Sequence, residues 1–411
     1  MKTFRYFQPE YVSRFKCTGW GNNCLNNCCD RQWEIDLDKA TYKKYQRIQP
    51  KEKAREITSH FEFKSDAGKY FLKGRPCPFL TADGLCGIQR EYGEEFLSQT
   101  CATYPRLTYG IGKFFERSLT LTCPVAAEMV LFAEEPLKFE WVEVSDKIHS
   151  KHGRIAMRKT KINDVDAELV PKIQIAMINI LQERSLSINQ RLIVLCFFID
   201  RLEEHFSSKP DIEGFTKLLA TYNSEEFLAK QVPLMIESVS FDAEKFIRLI
   251  MEMFEAFYNT KEIRLLNQDR RFMDAVIKTL NIELDENNQI SISKITANYN
   301  GLAEARKKFL ADYSTFFENY LVNELFLNLY PWNHSYDLSK DLSRFLITYK
   351  VFEVFMFSAT QNNLSDKKDL LSLLDWYANQ IDHTSRLKEK IFKYLEGKED
   401  FFEIMESLLE R

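Results

Sequence analysis

The chain has 411 residues, of which 45% are apolar and 28% charged, the balance of a folded protein with a large core and too rich in apolar residues for overall disorder. Lysine and arginine total 56 against 60 aspartates and glutamates, a net charge of −4, so there is no chain-wide basic field for nucleic acid. Only 13 glycines stand beside 33 phenylalanines, which argues against a Gly-rich nucleotide-binding α/β fold and for helices.

Residues 1–135 read as a turn-rich segment that opens on MKTFRYFQPEYVSRFKC, without the apolar core or small-residue cleavage site of a signal peptide. No stretch approaches the roughly 18–20 uninterrupted apolar residues of a bilayer span. The expected compartment is the cytoplasm, where thiols stay reduced. Eight of the nine cysteines fall in this segment: Cys17, Cys24, Cys28, Cys29, Cys77, Cys86, Cys101 and Cys123. They lie in CTGWGNNCLNNCCD, RPCPFLTADGLCGIQ, SQTCATYPR and TLTCPVA, where Gly, Asn and Pro let the backbone turn sharply enough for sulfurs to converge.

The spacing runs C-x6-C-x3-C-C, then C-x8-C, C-x14-C and C-x21-C. Disulfides would need an oxidising compartment, and unligated core thiols need no turn chemistry, so metal ligation is the favoured reading. Only His60 lies among these cysteines, which leaves an all-sulfur set suited to tetrahedral zinc or to an iron–sulfur cluster such as 4Fe-4S. Irregular spacing, the adjacent Cys28–Cys29 pair and flanking aromatics lean toward iron–sulfur, with zinc as the alternative. Adjacent cysteines point in different directions, so eight sulfurs suit two four-cysteine sites or one cluster with spare thiols.

Within the same segment, KKYQRIQPKEKAR (43–55) reads as a solvated basic face and REYGEEFLSQT (90–100) as a short amphipathic turn. PVAAEMVLFAEE (124–135) opens a helix on proline. Residues 136–164 are taken as a connector: KFEWVEV (138–144) is a strand or extended link, and the charged 145–164 stretch is the best linker candidate. From 165 to 411 the pattern is helical. VPKIQIAMINILQER, INQRLIVLCFFIDRLEEHF, DIEGFTKLLATY, FDAEKFIRLIMEMFEAFYN, LAEARKKFLADYSTFFENYLVNELFLNLY, SRFLITYKVFEVFMFSAT and two further stretches toward the end place apolar residues at helical spacing. Cys196, in LIVLCFFID, reads as a small core hydrophobe. The predicted fold is mainly α: a cysteine-rich, loop-rich N-terminal metal-binding region followed by an α-helical domain.

The order YFQPEYVSRFKC, C-x3-CC with WEIDLDKATY, RPCPFLTADGLCGIQREYGEEFLSQTCATYPR and LTLTCP resembles the flagellin lysine-N-methylase family, over residues 4–124. The helical remainder fits that family in length and character. CPFL, GLC and CATYPR also resemble small iron- or zinc-chelating domains of bacterial proteins. The first resemblance implies methyl transfer from S-adenosylmethionine to lysine side chains of flagellin, with an iron–sulfur cluster on the cysteine blocks. No Gly-rich loop of Rossmann-type methyltransferases is visible, and Cys24, Cys28 and Cys29 give C-x3-C-C rather than the C-x3-C-x2-C radical signature. The rival readings are a non-enzymatic metal-binding interaction module and a redox iron–sulfur protein.

A lysine amine with a reference pKa near 10.4 costs about 4 kcal/mol to present neutral at pH 7, so a site must desolvate it or offer an acceptor. Tyr104 and Arg106 are the candidate catalytic pair, their other role being to brace the metal loop. Trp20, Trp33 and Tyr42 add aromatic surface suited to cation–π contact with an ammonium or sulfonium. Asp36 and Asp38 share a side if WEIDLD is extended and face either water or a substrate ammonium, with water the simpler reading. His149 and His152 stand in the charged linker without a cysteine beside them. Nothing supports a Ser-His-Asp hydrolase, a phosphate loop or a zinc-protease helix.

Overall fold

A computed structural model describes residues 3–17, 28–29, 35–74, 76–145, 155–157, 169–207, 212–222, 224–258, 270–284, 289–330, 337–382, 386–397 and 400–411. The chain divides into two units, Met1–Met129 with Leu137–Lys159, and Val130–Pro136 with Thr160–Arg411. No helix among the described residues is long and apolar enough to cross a membrane.

The first unit is built on strands β1 (Thr3–Pro9), β2 (Asp36–Leu37), β3 (Phe61–Lys64), β4 (Lys69–Leu72), β5 (Arg106–Ile111), β6 (Phe114–Leu119), β7 (Phe139–Ser145) and β8 (Ile155–Met157). Five of them form one sheet in the order β7-β1-β6-β5-β8, and three form a second in the order β2-β4-β3. β1 runs antiparallel to β7, from Thr3 opposite Ser145 to Pro9 opposite Phe139, and parallel to β6, with Tyr6 opposite Phe115 and Phe7 opposite Glu116. Strand alternation sorts the side chains onto two faces. On one face Phe7 and Phe114 pack on Trp141, with ring centroids 4.9 and 5.3 Å away, and the Arg5 guanidinium lies 3.8 Å from the Trp141 ring centre. The other face carries Phe4, Tyr6 and Gln8 from β1, with Phe115 and Arg117 beside them.

The small sheet packs on two helices, Lys39–Tyr45 and Lys51–Ser59, around Leu37, Tyr45, Ile48, Ala54, Ile57, Phe61 and Ile88. The Asp38 carboxylate accepts the Thr41 backbone amide at 2.9 Å and caps the first helix, satisfying an amide that the helix start leaves without a partner. The basic stretch at 43–55 spans the last turn of this helix and the start of the next.

In the second unit the helix Leu338–Gln361 is buried along almost its whole length. Phe352 is fully buried, stacked 4.5 Å from Tyr320 and tilted against Tyr377 at 5.1 Å, a burial that contributes about 1.5–3 kcal/mol for such a ring. Glu318, 1% exposed, accepts hydrogen bonds from Arg184 at 2.9 Å and from Arg191 at 2.8 Å. A buried carboxylate survives only with such partners. Lys350, also buried, donates to Asn189 and Glu353, both at 2.8 Å.

The helices expected from periodicity are present, with two subdivisions: the 302–330 stretch is two helices, Ala303–Asp312 and Ser314–Leu327, meeting at Tyr313, and the last stretch is Arg386–Leu395 and Phe401–Glu406. Cys196 is fully buried in the helix Ile188–Ser207, as a core position should be. The loop-rich N-terminal expectation is corrected, because TFRYFQP, RLTYGI and FFERSL pair into a sheet. Within the 136–164 segment, KFEWVEV takes the strand form of its two readings: Phe139–Ser145 zips along β1, as an antiparallel edge strand with polar residues on its open side. In the charged stretch that follows, Ile155–Met157 runs parallel to β5.

Candidate metal centre

The CPFLTADGLCG block folds back on itself. Thr81 and Leu85 pair through a 2.9 Å backbone bond, the Gly84 amide donates to Thr81 at 2.8 Å, and Leu80 bridges Cys86. Gly84 has φ 75°, a left-handed conformation that glycine adopts without steric cost. Gly87 sits where a Cβ would lie 3.1 Å from the Phe79 carbonyl, so this return stroke is tight. The result sets Cys77 and Cys86 at the two ends of one turn. The Cys77 backbone amide in turn donates to the Cys29 carbonyl at 2.7 Å, joining the first cysteine block to the second.

Cys101 lies in the short helix Gln99–Thr103, whose first turn is capped by the Ser98 hydroxyl accepting the Cys101 amide at 3.1 Å. That helix is tethered to the small sheet. Asp36, expected to face water, is buried instead, accepting the Thr100 hydroxyl at 2.6 Å and the Lys69 ammonium at 2.6 Å. Asp38 is committed to its cap. Neither aspartate is a spare carboxylate, because each satisfies a local donor whose placement the sequence did not disclose.

Cys86 and Cys101 each lie within electrostatic reach of Cys28 and Cys77, and Cys29 of the same two. Burial pushes the Cys101 thiol up to about 12, against the Ser98 hydroxyl, and Cys28, Cys86 and Cys77 raise it further. Cys86 is raised by burial, opposed by the backbone amides of Gln89 and Ile88 and reinforced by Cys77 and Cys28. Hydrogen bonds to Cys28 and Cys77, with burial, raise Cys29 as well. Each thiolate in such a group disfavours the next, and a bound cation reverses that logic by holding the sulfurs ionised. Cys28, Cys77, Cys86 and Cys101, with Cys29 as a fifth sulfur, are soft donors of the type that thiolate ligation uses. Among the described residues no three His, Cys, Asp or Glu side chains are grouped so as to hold a single metal ion.

Tyr45, which the sequence reading passed over, borders this group. Its hydroxyl donates to the Phe96 carbonyl at 2.6 Å, and burial together with Cys101, Cys86 and Cys77 raises its phenol. Its signal was faint: a tyrosine on a helix face reads as ordinary core. Tyr42 stacks on Tyr70 at 3.6 Å within the same cluster.

Cys17 and Cys123 belong elsewhere. Both are felt by Arg106, whose guanidinium donates to the Phe15 carbonyl at 3.2 Å and lies 5.0 Å over the Phe15 ring. Burial lowers the Arg106 pKa, while Glu94, Cys17 and Cys123 raise it. The Tyr104 hydroxyl is 3.3 Å from that of Thr122, beside Cys123. Cys24, Trp20, Trp33, His149 and His152 lie outside the described residues.

The fold and these thiols define a class of protein in two parts, a thiol-gathering α+β unit and a unit made of helices. Residues 174–409 match the FliB lysine N-methylase C-terminal domain, and the chain belongs to that family. It is 32% identical over 137 residues to a "Lysine-N-methylase" of Salmonella typhimurium strain LT2, covering 32% of this chain and 33% of that protein. A second "Lysine-N-methylase", of Salmonella choleraesuis, is 32% identical over 139 residues, covering 32% of this chain and 33% of that one. The "Flagellar biosynthetic protein FliU" of Salmonella muenchen is 31% identical over 139 residues, covering 32% of this chain and 79% of that protein. The chain thus spans about a third of the length of the two lysine-N-methylases it matches. No solved structure matches it.

Proposed function

We propose that this protein transfers a methyl group from S-adenosylmethionine to lysine side chains of a flagellin, and that an iron–sulfur cluster, 4Fe-4S in type, is held by Cys28, Cys77, Cys86 and Cys101. The observation that carries the first part is the family match across the helical unit, joined by relatives named for lysine methylation and for the flagellum. The electrostatic reach of Cys28 and Cys77 to both Cys86 and Cys101 supports the second. A cluster places each thiolate on its own iron, so its sulfurs need not crowd around one point as they must at about 2.3 Å from a single zinc. The cluster supplies either a fixed scaffold for turns with little regular backbone bonding or an electron-transfer centre.

The chain's own residues set the loops. Asp36 and Ser98 hold the Cys101 helix, Gly84 and Gly87 shape the Cys77–Cys86 return, and Arg106 holds the Cys17 segment by the Phe15 carbonyl. In this reading Tyr104 and Arg106 lie close enough to the cysteine segments to serve catalysis as well as bracing. The test joins two measurements on protein purified without oxygen: iron and acid-labile sulfide per chain, and transfer of labelled methyl from S-adenosylmethionine to flagellin. About four irons and four sulfides with label on flagellin lysines is the expected result. A fully loaded protein that transfers no label would be an interaction module or an electron carrier instead.

A further inference from the structure

One row of side chains crosses four strands of the large sheet on a single face. Glu140 of β7 stands opposite Gln8 of β1, and Arg117 of β6 stands opposite Thr108 of β5. The β1–β6 register of Tyr6 with Phe115 and Phe7 with Glu116, carried one residue further, sets Gln8 beside Arg117. Gln8 and Arg117 are 2% and 6% exposed, inside a sheet face where polar groups must be satisfied.

Gln8 is held in one orientation. Its Nε2 donates to Ser13 at 2.8 Å and to Glu140 at 3.1 Å, and Ser13 itself donates to Glu140 at 2.6 Å. Its Oε1 is buried without a hydrogen-bond partner. Arg117 is also fixed, with Nε donating to Thr108 at 3.3 Å and the guanidinium 4.1 Å over the Tyr6 ring. Its Nη2 is buried without a partner too. A second guanidinium, Arg106, lies on the same face two residues along from Thr108 and is near enough to repel Arg117.

An acceptor and a donor are thus both left open on adjacent strands, in a buried polar row with one acidic end and one doubly cationic end. From this we infer that the Gln8–Arg117 row is a binding site for an α-amino acid group, with the ligand carboxylate on Arg117 and Arg106 and its ammonium on Gln8 Oε1 and the Glu140 side. Arginine receives a carboxylate in fork geometry, and an amide oxygen beside a carboxylate receives an ammonium. The proposal rests on the methyl-transfer reading above, since it assigns this row to the methionine tail of S-adenosylmethionine.

The test uses the full chain in equilibrium dialysis against S-adenosylhomocysteine, which carries the amino acid tail, and methylthioadenosine, which lacks it. Arg117→Met, Arg117→Lys and Gln8→Leu are compared with the parent, with circular dichroism to verify folding. Loss of a charge-assisted bond in a buried site should weaken S-adenosylhomocysteine about tenfold to a hundredfold and leave methylthioadenosine unchanged. Arg117→Lys and Gln8→Leu keep the question answerable if Arg117→Met does not fold. Unchanged S-adenosylhomocysteine affinity in folded variants that still transfer methyl groups overturns this site and leaves the methylase reading standing. A parent protein that neither binds S-adenosylhomocysteine nor transfers label overturns both.

Discussion

The backbone amide of Cys77 donates to the backbone carbonyl of Cys29 at 2.7 Å, and this bond aligns two cysteine segments that are remote in the chain. It puts Cys29 within side-chain hydrogen-bonding reach of Cys77 while Cys28 interacts with Cys86 and Cys101. Cys28 and Cys29 also hydrogen-bond to each other, so the adjacent pair enters one thiol neighbourhood with Cys77, Cys86 and Cys101.

Replacement of single cysteines should therefore have unequal effects. Cys77→Ser and Cys101→Ser are expected to lose most of the bound metal, whereas Cys17→Ser should retain most of it, because Cys17 acts on Arg106, as Cys123 does. Metal analysis of oxygen-free preparations reads this directly. Equal loss from all three variants would contradict the division of the thiols.

Asp36 links the Cys101 helix to the small sheet through Thr100 and Lys69. Asp36→Asn keeps the shape but loses the charge, and leaves a buried site with weaker acceptors. Its expected cost is about 1–3 kcal/mol in urea unfolding, with lower metal content at equal protein. A variant as stable and as metal-rich as the parent would show that the tether is dispensable.

The Asp38 cap carries a pH signature. Burial raises its pKa, but the hydrogen bonds from the Thr41 hydroxyl and the backbone amides outweigh burial and hold the carboxyl below its ordinary value of 3.8. A depressed folded pKa gives stability that is present above 3.8 and lost as pH falls through the lower folded value. Asp38→Ala should cost about 1 kcal/mol near neutral pH, and the gap from the parent should close in acid below that range. A gap that widens on acidification would reverse the assignment.

In the helical unit, Glu318→Ala would strand Arg191, which is 2% exposed. Leaving a buried charge without its partner costs about 3–5 kcal/mol. By contrast Arg201 and Glu204, with side chains 58% and 61% exposed, form a pair whose removal should change stability by less than about 1 kcal/mol. Paired unfolding curves for Glu318→Ala and Glu204→Ala check the contrast.

Much of the helical unit could be read from periodicity, because amphipathic stretches such as INQRLIVLCFFIDRLEEHF bury one face wherever they dock. The sheet was harder. Its strands are short, and β1 pairs with β7 and β6, which lie far along the chain, so no local pattern announces the pairing. The turn residues around Cys77 and Cys86 announced the tight return that Gly84 and Gly87 shape between them. The polar row of Gln8 and Arg117 was not legible, since a glutamine and an arginine in strands read as surface until the register sets them on adjacent strands. The family motifs quoted from the sequence lie within residues 4–124, whereas the domain match covers 174–409, where the pattern offered only helical character.

β1 lies inside its sheet, flanked by β6 and β7, although it precedes both by more than a hundred residues. A ribosome releases Tyr6 long before Phe115 or Val142, the residues that stand opposite it. The aromatic run of TFRYFQP must therefore wait, exposed, through the synthesis of nearly every thiol-bearing loop. During that interval the nascent unit presents both an unpaired strand and exposed thiols, two features that invite aggregation and mis-oxidation.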